Sequence, residues 1–170
     1  LQELEAITLI RDKQYWKATK LANKILDNLA EAAGGVSEYN YRVYDDGSNY
    51  PSSVWLNTSA TQDLLEVPHM SYADCNADVS DDFLDDNTQS VADLYPDLIA
   101  KIPVLLYNGQ DDDNVDYQGT LNYINALNWK DVKNFRNAKR TVWKLSDGSS
   151  AGLVKGYGNF TFLLLFKAGH

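Results

Sequence analysis

The chain has 170 residues, 44% apolar and 23% charged, with a formal net charge of −9 and one cysteine. That length buries one or two modest cores, and no apolar run approaches the roughly 18 residues of a bilayer-spanning helix. The acidic balance argues against nucleic acid and anionic membrane surfaces as partners, since both select clustered Lys and Arg.

The chain opens on Leu1-Gln2-Glu3-Leu4-Glu5, which is acidic, lacks Met and is no signal peptide. With the stop at His170, both ends read as cut. A short first helix is expected with Leu4, Ile7 and Ile10 inward. Residues 13–33 form a strong amphipathic pattern, with Asp12 as N-cap and Tyr15, Ala18, Leu21, Ala22, Ile25, Leu26 and Leu29 on one face. Gly34-Gly35 stops it. Residues 36–53, rich in Tyr, Asn, Asp, Gly and Ser, read as irregular. A short helix fits 58–66, and 74–100 reads as mostly helical, broken near Asp85-Asp86-Asn87 and restarted with Ser90 as cap.

The texture changes near residue 101. Ile102–Tyr107 is a nearly continuous apolar run, the pattern of a strand buried on both faces. A helix over 117–127 and Trp129 follow, then a hairpin of 140–145 with 151–157 across Asp147-Gly148-Ser149-Ser150. Phe160–Phe166 is a second fully buried strand candidate. The division is a mostly helical region over 1–92 and an α/β region over 93–170. Two strands without a polar face need cover on both sides and neighbours on both edges. The chain supplies few, so packing alone calls for further polypeptide.

Each buried strand stops near a Gly and then presents a proton-handling residue: Asp112 after Gly109, and His170 after Gly169. Sites in open α/β sheets lie outside the carboxyl ends of strands. Gly109 and Gly169 are expected to supply the sharp turns this placement needs. Asp then His, in that order, are two thirds of a Ser…Asp…His hydrolase triad. No Ser stands out as the third. Gly148-Ser149-Ser150-Ala151-Gly152 matches the G-x-S-x-G elbow, but it lies between two strands and after the Asp, so it reads as a turn.

The acidic run at 111–116 does not make a calcium loop. Starting at Asp112, Tyr117 stands where Gly is needed and Tyr123 where Glu is needed. Two distant histidines and one cysteine give zinc no case, so no metal or cofactor is expected. His69 reads as an ordinary loop residue. Cys75 is either a buried free thiol or half of a bridge to a cysteine outside this segment. Asn57-Thr58-Ser59 and Asn159-Phe160-Thr161 are sequons, making Asn57 and Asn159 glycosylation candidates.

These blocks together resemble the serine carboxypeptidases of the α/β-hydrolase fold. Val104-Leu105-Leu106-Tyr107-Asn108-Gly109-Gln110-Asp111-Asp112 resembles that family's "VLIYNGDxD", whose last Asp is the triad acid and falls on Asp112. Gln110 stands where Asp is usual; "YNGQxD" variants resemble the retinoid-inducible and vitellogenic-like branches. Gly119 and Trp129 match a Gly and an "LxW", and Ala151-Gly152-Leu153-Val154-Lys155 resembles "AGYVK". Phe160-Thr161-Phe162 with Lys167-Ala168-Gly169-His170 resembles "LTFxxVxGAGH", with His170 as triad base. Upstream, Tyr41-Arg42-Val43-Tyr44-Asp45 resembles "NxYD", Val54-Trp55-Leu56-Asn57 resembles "xYLN", and Cys75 with Val79 fits "WxxCxxxV".

The resemblance runs from about residue 13 to the end. It implies the C-terminal part of an α/β-hydrolase sheet preceded by a helical insertion that caps the site. It implies release of C-terminal residues from peptides through an acyl-enzyme, in a lysosomal, vacuolar or secreted setting. The family's Ser-bearing "GESYAG" and its "NGGPG" segment are not in this chain. The expected partners are therefore an N-terminal large chain or segment with the Ser, a peptide substrate and, as one option, a second copy. The resemblance also implies that Cys75 bridges to that N-terminal part. Two other readings stay open: a non-catalytic homologue acting as a structural or binding subunit, and an acyltransferase using the same triad.

Overall fold

The computed structural model describes residues 2–44 and 51–170. The expectations for Leu1 and for irregular structure at 45–50, Asp45 of the "NxYD" match included, lie outside the described residues.

In chain order the elements are α1 (Gln2–Arg11), α2 (Tyr15–Ala32), β1 (Val36–Ser37), β2 (Asn40–Tyr44), α3 (Pro51–Leu56), α4 (Ser59–Leu64) and α5 (Ala77–Asp82). They continue with α6 (Tyr95–Lys101), β3 (Val104–Gly109), α7 (Tyr117–Ala126), α8 (Val132–Asn137), β4 (Thr141–Lys144), β5 (Ser150–Tyr157) and β6 (Phe160–Leu165). Two units emerge: a helical unit of Leu1–Ile25 and Asp45–Gln89, and a sheet unit of Leu26–Tyr44 and Ser90–His170.

In the helical unit the long helix starts later than its apolar pattern suggests. Lys13 turns left-handed at φ 56°, so Asp12 does not cap it. On α1 the expected inward set is overturned: Ala6 is buried, whereas Leu4, Ile7 and Ile10 are exposed. Buried polar groups tie the unit together. The Thr19 hydroxyl donates to the Leu84 carbonyl at 2.7 Å. The Gln62 amide donates to the carbonyls of Leu56 and Met70 and accepts from the Met70 N–H. Thr58 caps α4 and Asn76 caps α5, each accepting a backbone N–H with its side-chain oxygen.

The sheet unit begins at the end of α2. Gly34 and Gly35 take φ of 90° and 82°, and the Gly35 N–H returns to the Ala30 carbonyl, a glycine C-terminal stop. The chain then forms the antiparallel β1–β2 hairpin, where irregular structure was expected. A four-stranded sheet follows, in the order β3-β6-β5-β4, with β3 parallel to β6 and the other pairs antiparallel. The Asp147–Ser150 turn closes the expected hairpin, with Gly148 at φ 85°. Asp116 caps α7 by accepting the Gly119 N–H at 2.7 Å.

The core of this unit packs one face of the sheet against helices. Ile99, Leu121, Ile124, Leu127, Trp129, Phe135, Phe160, Phe162 and Leu164 are buried in one cluster. Burial along β6 alternates strictly, so β6 presents one wholly buried face rather than two. On β3, Leu105 and Tyr107 are 54% and 66% exposed. The sequence pattern of burial on both faces is therefore met on one face only within this chain.

Candidate active site

The parallel pairing of β3 and β6 brings Asp112 and His170 together. Register runs from Val104 opposite Phe160 to Gly109 opposite Leu165, so both strands end side by side. The segments beyond them stay bonded: the Gln110 N–H donates to the Leu165 carbonyl and the Asp111 N–H to the Ala168 carbonyl. The sharp turn after β6 falls at Lys167, left-handed at φ 55°, and not at Gly169.

The two glycines serve close approach instead. A Cβ on Gly109 would lie 2.1 Å from the Gly169 carbonyl oxygen, and one on Gly169 would lie 2.3 Å from the Tyr39 carbonyl oxygen. Neither distance is tolerated by a real side chain. Expecting both glycines as turn formers assigned them the wrong reason: they let three backbone segments touch.

Asp112 is buried, its side chain 4% exposed, and its oxygens are divided. Oδ1 accepts the Val115 N–H at 2.9 Å, and Oδ2 faces His170 Nδ1 at 3.2 Å. The loop itself is pinned by the Asn108 amide, which donates to the Val115 carbonyl at 2.8 Å. His170 is half exposed at 49%. A carboxylate carries no proton, so Nδ1 holds the N–H and the basic lone pair is on Nε2. A buried carboxylate with a half-exposed imidazole is the arrangement that orients a general base and stabilises it once charged.

Asp111, next to Asp112, is also buried. Its Oδ2 lies 3.6 Å from the exposed Arg42 guanidinium. Hydrogen bonding to that carboxylate, then lost solvation, hold the Tyr41 phenol above its usual pKa. The β1–β2 hairpin supplies these contacts and more: the Glu38 carbonyl accepts the N–H groups of Asp113 and Asn114, and the Tyr39 carbonyl accepts the His170 N–H. Sequence reasoning missed this hairpin. The signal was its Tyr- and Val-rich stretch after the glycine pair, a composition suited to a strand.

The other candidates lie elsewhere. Cys75 is an exposed free thiol in the helical unit. Both hydrogens of the Asn57 amide are used, toward the carbonyls of Ser53 and Tyr72. The Asn159 amide donates to the Ile99 carbonyl from the exposed β5–β6 turn. His69 pairs with Asp63 at 2.7 Å on the surface. Ser149 in the G-x-S-x-G match hydrogen-bonds Asp147 within its turn. Among the described residues no helix is long and apolar enough to cross a membrane.

Comparison with known proteins gives the family. A family model described as serine carboxypeptidase matches residues 8–170. Carboxypeptidase Y homolog A of Arthroderma otae is 40% identical over 122 residues, covering 68% of this chain and 23% of that protein. The homolog from Sclerotinia sclerotiorum is 38% identical over 134 residues, covering 74% and 24%. The chain thus spans about a quarter of the length of these curated relatives. Among solved structures, a prohormone-processing carboxypeptidase of Saccharomyces cerevisiae, KEX1(delta)P, superposes with a TM-score of 0.65 at 25% identity, covering 79% of this chain and 32% of that one. The mixed sheet-and-helix architecture is accordingly the α/β-hydrolase-type fold of those enzymes, and the chain belongs to the serine carboxypeptidase family.

Proposed function

We propose that this chain is the C-terminal portion of a serine-type carboxypeptidase and supplies the Asp and His of its triad. The contact of His170 Nδ1 with the buried Asp112 carboxylate is the observation that carries the reading. In this mechanism His170 Nε2 takes the proton of a serine hydroxyl as that oxygen attacks the last peptide carbonyl of the substrate. The protonated imidazole passes the proton to the departing amino group, leaving an acyl-enzyme. Water then enters, gives a proton to Nε2, and the peptide acid is released as the serine regains its proton. Asp112 keeps the ring in the correct tautomer and stabilises it while charged.

The serine comes from polypeptide outside this chain, so the chain by itself turns nothing over. The outer edge of β3 has no strand partner among the described residues, and Leu105 and Tyr107 beside it are exposed, which supports further sheet there. The exposed Cys75 thiol is available for a bridge to the same polypeptide, and the two sequons with that bridge favour a lysosomal, vacuolar or secreted setting.

The test is turnover of an N-blocked dipeptide by the full-length product of the gene that encodes this chain. His170→Ala is expected to abolish it, and Asp112→Asn to lower kcat by about 10⁴, the size of the tautomer effect in triad hydrolases. Turnover retained in His170→Ala overturns the reading.

A further inference from the structure

We propose that Tyr39, on the β1–β2 hairpin, is a positioning residue that fixes the plane of the His170 imidazole. The inference rests on Asp112 and His170 acting as the catalytic pair. One side-chain hydrogen bond, at 3.2 Å, joins that imidazole to Asp112, and half of the side chain faces solvent. The side chain turns about χ1 and χ2, and a single bond restrains only one combination of the two, leaving the ring able to tilt and carry Nε2 with it. A second, non-collinear contact removes that freedom. Tyr39 provides it: its ring centroid lies 5.4 Å from that of His170, with the planes at 69°, a T-shaped pair.

The hairpin is built to hold this contact. The Tyr39 carbonyl accepts the His170 N–H at 2.8 Å, so ring and backbone of one residue grip ring and backbone of the other. Gly169 allows the approach, since a Cβ there would meet the Tyr39 oxygen at 2.3 Å and the Asn40 Cβ at 2.8 Å. The same hairpin is tied to the Asp112 loop. The Glu38 carbonyl takes the Asp113 and Asn114 N–H groups, the Tyr41 N–H donates to the Asp111 carbonyl, and Arg42 pairs with the buried Asp111 carboxylate. Hairpin, loop and tail form a three-part jig with Tyr39 at its point of contact with the imidazole. All of it lies within the sheet unit.

The experiment uses the full-length protein and an N-blocked dipeptide. Tyr39→Phe keeps the ring and its T-shaped contact, and is expected to retain clearly more kcat than an aliphatic residue there. Tyr39→Leu removes the T-shaped contact, and kcat is expected to fall about three- to tenfold with KM within about twofold. Tyr39→Met decides the same comparison if the leucine variant does not accumulate. Wild-type kcat in both aliphatic variants overturns the inference, as does a phenylalanine variant as impaired as they are. A rise in KM alone also overturns it, since that assigns Tyr39 to substrate binding. His170→Ala run in parallel separates the two failures. Loss of turnover there with unaffected Tyr39 variants sinks only the positioning role, whereas retained turnover there sinks the catalytic pair itself.

Discussion

The two units are held by different physics. In the sheet unit, Trp129 and Phe135 each meet Phe160 edge to face, at 5.7 and 5.2 Å, and meet each other tilted at 6.2 Å, sealing one side of the sheet. Among the described residues of the helical unit, the buried side chains are Ala6, Ala18 and Leu84 beside Thr19, Thr61 and Gln62. There, side-chain bonds to backbone do what aromatic packing does in the other. The proposed Asp112–His170 pair, whose role would need sub-ångström placement, lies in the unit with the close-packed aromatic core. The helical unit is specified by directional bonds, which fix loops without needing much apolar volume.

The sharpest way to break this contrast is truncation in the aromatic cluster. Phe135→Ala is expected to cost the sheet unit about 3–5 kcal/mol. Urea denaturation followed by Trp fluorescence reads it, and a loss under about 1 kcal/mol would mean the cluster does not carry the unit. Next comes Gly109→Ala. Its backbone needs no unusual φ, but the new Cβ meets the carbonyl oxygens of Gly169 and Ala168 at 2.1 and 2.4 Å, so the His170 tail must move. A displacement near 1 Å at a catalytic group costs about 10² in rate. Full-length Gly109→Ala is therefore expected to lose about that in kcat. Gly35→Ala, strained at φ 82° but with open space around it, is expected to leave kcat unchanged.

Legibility in the sequence follows the same line. Strands β3 and β6, their order and their Asp and His endings were readable, because an apolar run ending at Gly is a local pattern. The helix stop at Gly34-Gly35 and the 147–150 turn were readable for the same reason. The β1–β2 hairpin was missed despite its Tyr and Val, because Ser37, Glu38 and Asn40 break that stretch with loop-favouring residues, and its partner groups lie some 70 to 130 positions away at Asp111, Asp113 and His170. Nor was the inward residue of α1: Leu4, Ile7 and Ile10 satisfy a helical period, but what a helix buries is decided by its neighbours. The roles of Gly109 and Gly169 were assigned to backbone freedom because sequence shows a missing Cβ without showing what fills its place.

The helical unit is probed by a polar change. Gln62→Leu keeps roughly the same size but removes the amide, stranding the carbonyls of Leu56 and Met70 and the Met70 N–H. The expected cost is about 2–3 kcal/mol, localised to residues 56–70. Amide hydrogen exchange that accelerates there, with β3 and β6 unchanged, confirms the contrast; uniform acceleration across both units removes it.

The smallest expected effect separates a solvated turn from the buried loops. Asp147 Oδ1 accepts the Ser149 hydroxyl at 2.6 Å and the Ser149 N–H at 2.8 Å. Those bonds, the hydroxyl first, hold its pKa below the usual carboxylate value of 3.8. A carboxylate depressed on folding contributes stability that is complete above its unfolded pKa and is lost as pH falls through the folded one. The window thus lies below about pH 4, and the residue's full exposure to solvent keeps the effect small. In Ser149→Ala the hydroxyl bond is gone, so the Asp147 carboxyl is expected to titrate closer to 3.8 by NMR. The melting temperature is expected to drop slightly at pH 6, with the gap closing by pH 2. A gap that instead widens in acid would show that the hydroxyl favours the protonated carboxyl, reversing the sign of the linkage.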